Sequence, residues 1–231
     1  MAREDREVRL SPMRRTIAER MCGSLNQTAQ YTLTREIEID GMLAYINEQK
    51  AAGKGYKFMH VLIKVCATLL QEHEKLNATI VEKMLHYYGA VNMGVAVAVK
   101  EGLVVPVIKG VDDMSVDQIV EAYSAIVPKA KSGKLTIEDM SGGTFTISNL
   151  GMAGIDAFTP VVNYPEAAIL GVGRTNERVV FGADDKLERR KTVIFSLTLD
   201  HRIVDGYVGA MFLESLAQTL GDKEKTRTAV E

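Results

Sequence analysis

A histidine and an aspartate near the end of the chain have the residue types and the spacing of a general acid–base site. His201 follows an alternating apolar run, and Asp205 stands four residues later, directly before Gly206 and a helical pattern. A histidine at a strand-to-helix junction can be both held and exposed, which a general base requires. Asp205 is a natural N-cap, and the positive end of the helix would keep His201 a neutral base. The same spacing also fits a structural role in which Asp205 only fixes the turn.

The helical and strand patterns that must position these residues predict a mixed sheet covered by helices. The strand that delivers His201 is predicted over residues 191–199. Helical patterns lie at residues 11–25, 40–49, 58–70, 115–133 and 208–220. The other strand patterns lie at residues 31–39, 78–81, 84–88, 91–99, 103–109, 143–149 and 167–173, with a strand pair around a turn at 182–185. This order favours one α/β domain at residues 11–221, between a flexible segment at 1–10 and a frayed polar tail at 222–231.

The composition is that of an ordinary globular protein. The 231 residues are 46% hydrophobic and 25% charged, with a net charge of −2. The interspersed signs leave no basic stripe for nucleic acid and no polybasic tract for a membrane, and there is no apolar run of about 18 residues or more. We therefore expect a cytoplasmic protein without nucleic-acid or membrane partners. Cys22 and Cys66 have neither a zinc nor a redox spacing, so we expect reduced thiols and no metal site.

Several polar residues elsewhere have a structural interpretation. His60 lies on the narrow polar stripe of an otherwise apolar helical pattern, and it is interpreted as a surface histidine, like His73 and His86. The first helix carries Arg14, Arg15 and Arg20 on one face. We interpret this face as solvated. The alternative is that one of these arginines pairs with a buried aspartate or with an anionic ligand. The Gly171-Val172-Gly173 stretch lacks the third glycine and the helix of a dinucleotide-binding fingerprint.

Five landmarks in order resemble one family. Residues 200–206, Asp-His-Arg-Ile-Val-Asp-Gly, resemble the signature of the dihydrolipoamide acyltransferases, the core components of the 2-oxo-acid dehydrogenase complexes. The family's Gly-Thr-Phe-Thr-Ile-Ser-Asn-Leu-Gly strand stands unaltered at residues 143–151, and its Pro-Glu-x-Ala-Ile-Leu-Gly-Val-Gly stretch matches residues 165–173. Residues 11–18 and 102–108 are similar to two further landmarks. The resemblance covers about residues 7–220.

The resemblance implies a fold like that of chloramphenicol acetyltransferase and acyl transfer between coenzyme A and a lipoyl thiol. It also implies trimers with active sites at the subunit interfaces, where the two thiol substrates enter a channel from opposite ends. His201 matches the base that takes the thiol proton, and Asp205 matches the residue that holds the histidine turn. Ser148 matches the hydroxyl that stabilises the oxyanion across the interface. Ser148, Asn149 and Gly173 fall where the family contacts coenzyme A.

Other functions stay open at this point. A Ser-His-Asp hydrolase is disfavoured because Ser148 lacks a Gly-x-Ser-x-Gly elbow. A free-standing acyltransferase that uses another acceptor, and a non-catalytic trimeric scaffold that binds other complex subunits, are the remaining alternatives. We expect the lipoyl group to arrive on a lipoyl domain that this sequence does not contain, so the sequence is either a catalytic domain or a free-standing relative. The polar end favours a homotrimer over a large cage, and we expect an acetyl or similarly small acyl group.

Overall fold

Six α-helices and ten strands make up the part of the chain that the computed structural model describes, which is residues 5–182 and 185–231. The first half contains α1 Pro12–Gln27, β1 Gln30–Glu38, α2 Asp40–Ala51, α3 Phe58–Glu72, β2 Ala78–Val81, β3 Met84–Tyr87, β4 Met93–Val95, β5 Val97–Val99, β6 Gly102–Val104 and β7 Val107–Ile108. The second half contains α4 Val116–Lys131, β8 Phe145–Asn149, β9 Ala168–Phe181, β10 Leu187–Asp200, α5 Gly206–Gly221 and α6 Lys223–Val230.

The main sheet is mixed and has six strands in the order β1-β10-β9-β8-β4-β7. β8 runs parallel to both of its neighbours, whereas β10 runs antiparallel to β9 and β1. Strands β2 and β3 form a separate hairpin, and so do β5 and β6. The predicted mixed sheet with helices is therefore confirmed.

The two faces of this sheet differ in chemistry. Phe145 on β8, with Phe195 and Leu197 on β10, belongs to the hydrophobic core that is shared with α2, α3 and α5. Because side chains alternate along a strand, the opposite face of β10 carries hydroxyl residues. Thr198 there lies 2.8 Å from Thr32 of β1, oxygen to oxygen. The helices thus cover one face, and the other presents hydroxyl groups.

The predicted start of α1 is confirmed. The Ser11 hydroxyl accepts a hydrogen bond from the Arg14 N–H at 3.2 Å, and Pro12 occupies the first helical position. The apolar stripe of this helix is only partly covered, because Leu25 is 54% exposed and Ser24 is the buried residue of α1. No helix among the described residues is long and apolar enough to cross a membrane.

Two predicted strands are interrupted. Residues 91–99 and 103–109 each divide into two short strands, because the chain bends beside Pro106, which has no N–H to donate. The Pro106 carbonyl still accepts from the Val95 N–H at 2.9 Å. The outer hairpin carries Leu103, which is 43% exposed, so these apolar segments are not covered on both faces. Asp40, the first residue of α2, does not cap this helix, because its carboxylate accepts from the Lys191 N–H.

The prediction of a frayed tail is wrong for residues 223–230, which form α6. The Asp222 carboxylate caps this helix by accepting from the Lys225 N–H at 2.9 Å. Thr226 and Val230, four residues apart, are buried as α6 packs against α2, α3 and α5. Burial of one helix face outweighs the polar composition that suggested fraying. At the other end, residues 5–10 have neither helix nor strand, while residues 1–4 and 183–184 lie outside the described part.

Glu166 is a buried carboxyl group that is expected to make stability depend on pH. It is 2% exposed and accepts a hydrogen bond from the Asn163 amide at 2.7 Å. Burial raises the pKa of Glu166 from 4.5 to about 8, against the opposing effect of the hydrogen bonds. Between these two values the folded state holds a proton that the unfolded state has lost. Stability therefore falls as pH rises through this window, by about 1.4 kcal/mol per pH unit at most.

The Glu166→Gln variant tests this reasoning, because glutamine keeps an oxygen for Asn163 and cannot ionise. We expect its unfolding free energy to lack the decline that we predict for the wild type between pH 5 and 8, so that it is the more stable protein at pH 8. Denaturant unfolding across this pH range measures the difference. Glu138→Gln is the control, since the Glu138 side chain is 86% exposed. Parallel pH profiles of wild type and Glu166→Gln would contradict the assignment.

Candidate active site

His201 lies directly after β10, with its backbone fixed and its ring accessible. Its N–H donates to the Ala29 carbonyl at 2.9 Å. The ring packs on Tyr31 with 4.6 Å between centroids, and the Tyr31 hydroxyl donates to the Val204 carbonyl at 3.1 Å. The His201 side chain is nevertheless 53% exposed. This is a held and accessible imidazole, and Tyr31 is a support that the sequence did not reveal.

Asp205 occupies the N-cap position of α5, but its side chain makes no capping hydrogen bond. Its Oδ1 instead lies 4.0 Å from His201 Nδ1, and the side chain is 70% exposed. The expected side-chain cap is therefore not formed. The carboxylate faces one nitrogen of the imidazole, which leaves Nε2 of His201 available to a substrate.

The turn that carries His201 is anchored by its neighbour Asp200. Asp200 is 1% exposed and accepts hydrogen bonds from the backbone N–H groups of Ala29 and Arg202. The Arg202 guanidinium adds a two-pronged contact, with Nη2 at 2.6 Å from Oδ2. Burial alone would raise the pKa of Asp200, but these hydrogen bonds hold it below its usual value. Arg202, rather than an arginine of α1, thus pairs with the buried aspartate. Asp200 and Arg202 flank His201 in the sequence, and this adjacency is the sequence signal that could have identified the pair.

Ser148 lies on β8, on the hydroxyl-rich face of the sheet, and is 7% exposed. It pairs in register with Gly171 of β9. A methyl group at Gly171 would lie 3.1 Å from the Phe158 ring and 3.2 Å from Pro160, so these two residues cover the sheet beside Ser148. The serine thus has an aromatic neighbour that no motif in the sequence indicated.

One chain does not bring His201 and Ser148 together. Ser148 aligns with Gly171, which aligns with Ser196 on the next strand, and His201 stands five residues beyond Ser196. At about 3.3 Å per residue and about 4.8 Å per strand, the two Cα atoms are about 19 Å apart. No single substrate group can contact both side chains over that distance within a single chain.

Asn149 and Gly173 line a cavity of about 800 Å³ at the end of β8. Three cationic residues share its lining: Lys57, Lys131 and Arg174. The Asn149 Oδ1 accepts from the Gly151 N–H at 2.8 Å, and its amide lies 3.3 Å from the Met59 sulphur. A Cβ at Gly173 would lie 1.9 Å from the Asp156 carbonyl oxygen, so the fold itself requires glycine there. The cavity can accept a ligand with negative charge.

His60 also lines this cavity, and its prediction as a surface histidine is wrong. It is 3% exposed, because its ring packs edge-on against Tyr123 of α4 at 5.1 Å. The Nδ1 atom accepts from the Lys57 N–H at 3.3 Å, which closes the first turn of α3. Burial, followed by the charge of Lys57, lowers the pKa of His60, so the ring is neutral at pH 7. The described residues contain no cluster of three potential metal ligands.

Comparison with known proteins decides the family. The model of the 2-oxoacid dehydrogenases acyltransferase catalytic domain matches residues 2–227. The chain belongs to this family. A dihydrolipoyllysine-residue succinyltransferase of Rickettsia typhi is 39% identical over 94% of the chain and 56% of its own length. An acetyltransferase of the pyruvate dehydrogenase complex of Bacillus subtilis is 34% identical over 96% of the chain and 51% of its own length. The chain thus spans about half the length of these curated relatives.

Solved acyltransferases of the family share the fold. The dihydrolipoamide acetyltransferase of Azotobacter vinelandii has a TM-score of 0.90 at 33% identity, over 97% of this chain and 94% of its own. Crystallographic and enzymatic work on it addressed a serine, a histidine and an asparagine in its catalytic mechanism. The cubic core of a pyruvate dehydrogenase complex aligns equally well. A chloramphenicol acetyltransferase shares the fold alone, with a TM-score of 0.54 at 17% identity over 92% of this chain and 94% of its own. The expected family and fold are confirmed.

Proposed function

We propose that this acyltransferase domain moves an acyl group between coenzyme A and a dihydrolipoyl thiol in a 2-oxo-acid dehydrogenase complex. The observation that carries the proposal is the exposed and anchored His201, together with a hydroxyl at Ser148 that only another copy of the chain can present to it. The relatives act as lipoyl-residue acyltransferase components of such complexes. The lipoyl group would arrive on a lipoyl domain. A cytoplasmic location stays a prediction from the sequence.

The chemistry needs a base and an oxyanion donor. Nε2 of His201 takes the proton of the attacking thiol, because Nδ1 faces Asp205. The thiolate sulphur then forms a bond to the thioester carbonyl carbon, and the resulting oxyanion accepts a hydrogen bond from the Ser148 hydroxyl. When the intermediate collapses, the bond to the second sulphur breaks, and that thiolate recovers the proton from His201. A thiol pKa near 8.5 makes this proton transfer easy for a histidine.

Each site needs a second copy of the chain because these residues lie far apart within one chain, and we propose that the assembly is a trimer. Each site would combine His201 of one subunit with Ser148 of the next, so three sites form around a threefold axis. The partly covered apolar stripe of α1, where Leu25 is 54% exposed, is a surface that a neighbouring subunit could cover. Cores of relatives are multimeric, as in the cubic core noted above.

The cavity at the end of β8 is our candidate for the coenzyme A site. Its lining joins Asn149, next to Ser148, to the cations Lys57, Lys131 and Arg174. Coenzyme A carries several phosphate charges on one end and its thiol on the other. Cations and the N-terminus of α3 suit the phosphates, while the side of the cavity near Ser148 suits the thiol end.

The position of Phe158 favours a small acyl group on the substrate. Its ring lies against Gly171, the register partner of Ser148, so an acyl chain attached at the reacting carbonyl meets an aromatic wall. A pocket with this wall suits acetyl better than branched or longer groups. A difference of one methylene group is worth about 1–3 kcal/mol, which corresponds to about 10- to 200-fold in kcat/KM.

An assay with a panel of acyl-CoA substrates and dihydrolipoamide tests the proposed function. We expect transfer with acetyl-CoA, and lower kcat/KM with branched acyl groups. Absence of transfer with every acyl-CoA and every lipoyl acceptor would refute the enzyme and favour the scaffold. Light scattering of the same preparation would give the mass of three chains for a trimer.

The Phe158→Ala variant tests the origin of acyl selectivity. We expect kcat/KM for a branched acyl-CoA to rise about tenfold relative to acetyl-CoA, because the smaller side chain vacates space beside Ser148. Ile155→Ala, a change in the same loop at a 39% exposed residue, is the control and should leave the ratio unchanged. An unchanged ratio in Phe158→Ala would show that another residue limits the acyl group.

A further inference from the structure

His60 presents an unused hydrogen-bond donor to the cavity at the end of β8. Its Nδ1 accepts from the Lys57 N–H, so the neutral ring carries its proton on Nε2. Within residues 5–182 and 185–231, this Nε2 has no hydrogen-bond partner. The residue is 97% buried and lines the cavity, so its ring can meet a ligand that enters there. A cavity donor without a protein acceptor is open to water, and a ligand oxygen can replace that water as the acceptor.

The surroundings of the ring select an anionic acceptor. The charged and titratable groups that share the cavity with His60 are Lys57 before α3, Tyr123 and Lys131 on α4, and Arg174 on β9. None of them is negative at neutral pH, although Arg174 is partly neutralised by its ion pair with Asp156. The N-terminus of the 15-residue helix α3 adds a partial positive charge at the same place. A neutral sugar or an apolar chain would leave these groups unused.

We propose that Nε2–H of His60 donates a hydrogen bond to a phosphate oxygen of coenzyme A and so helps to select the nucleotide end of this substrate. His60 is then a specificity residue rather than a member of the acid–base machinery. Its second role, holding the first turn of α3 through Nδ1, keeps Lys57 beside the same phosphate. The inference rests on the proposed function, because it assigns the cavity to coenzyme A.

The test compares acetyl-CoA with S-acetylpantetheine, which keeps the thioester arm and lacks the nucleotide. In His60→Asn, the amide oxygen can replace Nδ1 as the acceptor for Lys57, whereas nothing occupies the position of Nε2. We expect kcat/KM for acetyl-CoA to fall about tenfold or more through KM, with kcat unchanged. S-acetylpantetheine should show the same kcat/KM in both proteins. The control is His86→Asn, at an exposed position on β3, where neither substrate should respond.

NMR of the histidine rings supplies a second measurement, which can be made on the wild-type protein. The chain contains four histidines, so the ring signals can be assigned one by one. Coenzyme A should shift the His60 Nε2 signal, and pantetheine should not. An equal loss for both substrates, no loss for either, or an unmoved His60 signal at saturating coenzyme A would overturn this inference alone. A wild type without transfer from either substrate would overturn the proposed function along with it.

Discussion

The His201→Ala variant is expected to lose about 10²–10⁴-fold in kcat, because no other group on its turn can take the thiol proton. Asp200 and Arg202 remain to anchor the turn, so the fold and the KM for acetyl-CoA should change little. Initial rates with acetyl-CoA and dihydrolipoamide give kcat and KM separately. His86→Ala removes an exposed histidine from β3 and should behave as wild type. A His201→Ala protein that keeps its activity would remove the base from the mechanism.

The Ser148→Ala variant is expected to lower kcat by about 10²–10³, the usual effect of removing one oxyanion donor. The loss should appear in kcat, because the hydrogen bond strengthens as charge develops on the carbonyl oxygen. Ser148→Thr retains a hydroxyl on a strand that tolerates β-branched residues, so we expect it to recover a substantial part of the rate.

Ser196→Ala is the matched control for Ser148. Both hydroxyls lie on the same face of the sheet, two strands apart, and Ser196 contacts Thr34. We expect Ser196→Ala to keep the wild-type kcat. Equal losses in Ser148→Ala and Ser196→Ala would indicate damage to the sheet rather than loss of an oxyanion donor.

Local signals in the sequence predicted most of the elements. The Ser11-Pro12 start of α1 and the apolar period of α3 depend on neighbouring residues only, and both appear as predicted. The main sheet is mixed, as predicted. The interruption of two predicted strands beside Pro106 depends on contacts with β8, where the Ala96 N–H donates to the Ile147 carbonyl at 2.9 Å. The stability of α6 also depends on partners distant in sequence, since Glu48 of α2 pairs with Lys223 and Arg227.

The sequence predicted which residue types form the candidate site, but it did not predict most of their contacts. The junction that carries His201 follows from the alternating strand and the helix after it. The pairing of Asp200 with Arg202 required knowing that the turn buries Asp200. The burial of His60 depends on α4, which packs over α3 from more than 60 positions away in the chain, at Tyr123. Long-range packing of this kind leaves no periodic signal in a single sequence.

The central claim is that each active site joins two subunits, and mixed trimers test it most directly. His201→Ala and Ser148→Ala chains are unfolded together and refolded at equal amounts, and each is also refolded alone. In a random mixture, about a quarter of the interfaces pair an intact His201 with an intact Ser148 of the next subunit. We therefore predict recovery of about a quarter of wild-type kcat, far above either variant alone. Activity of the mixture equal to the average of the two variants would contradict the shared site.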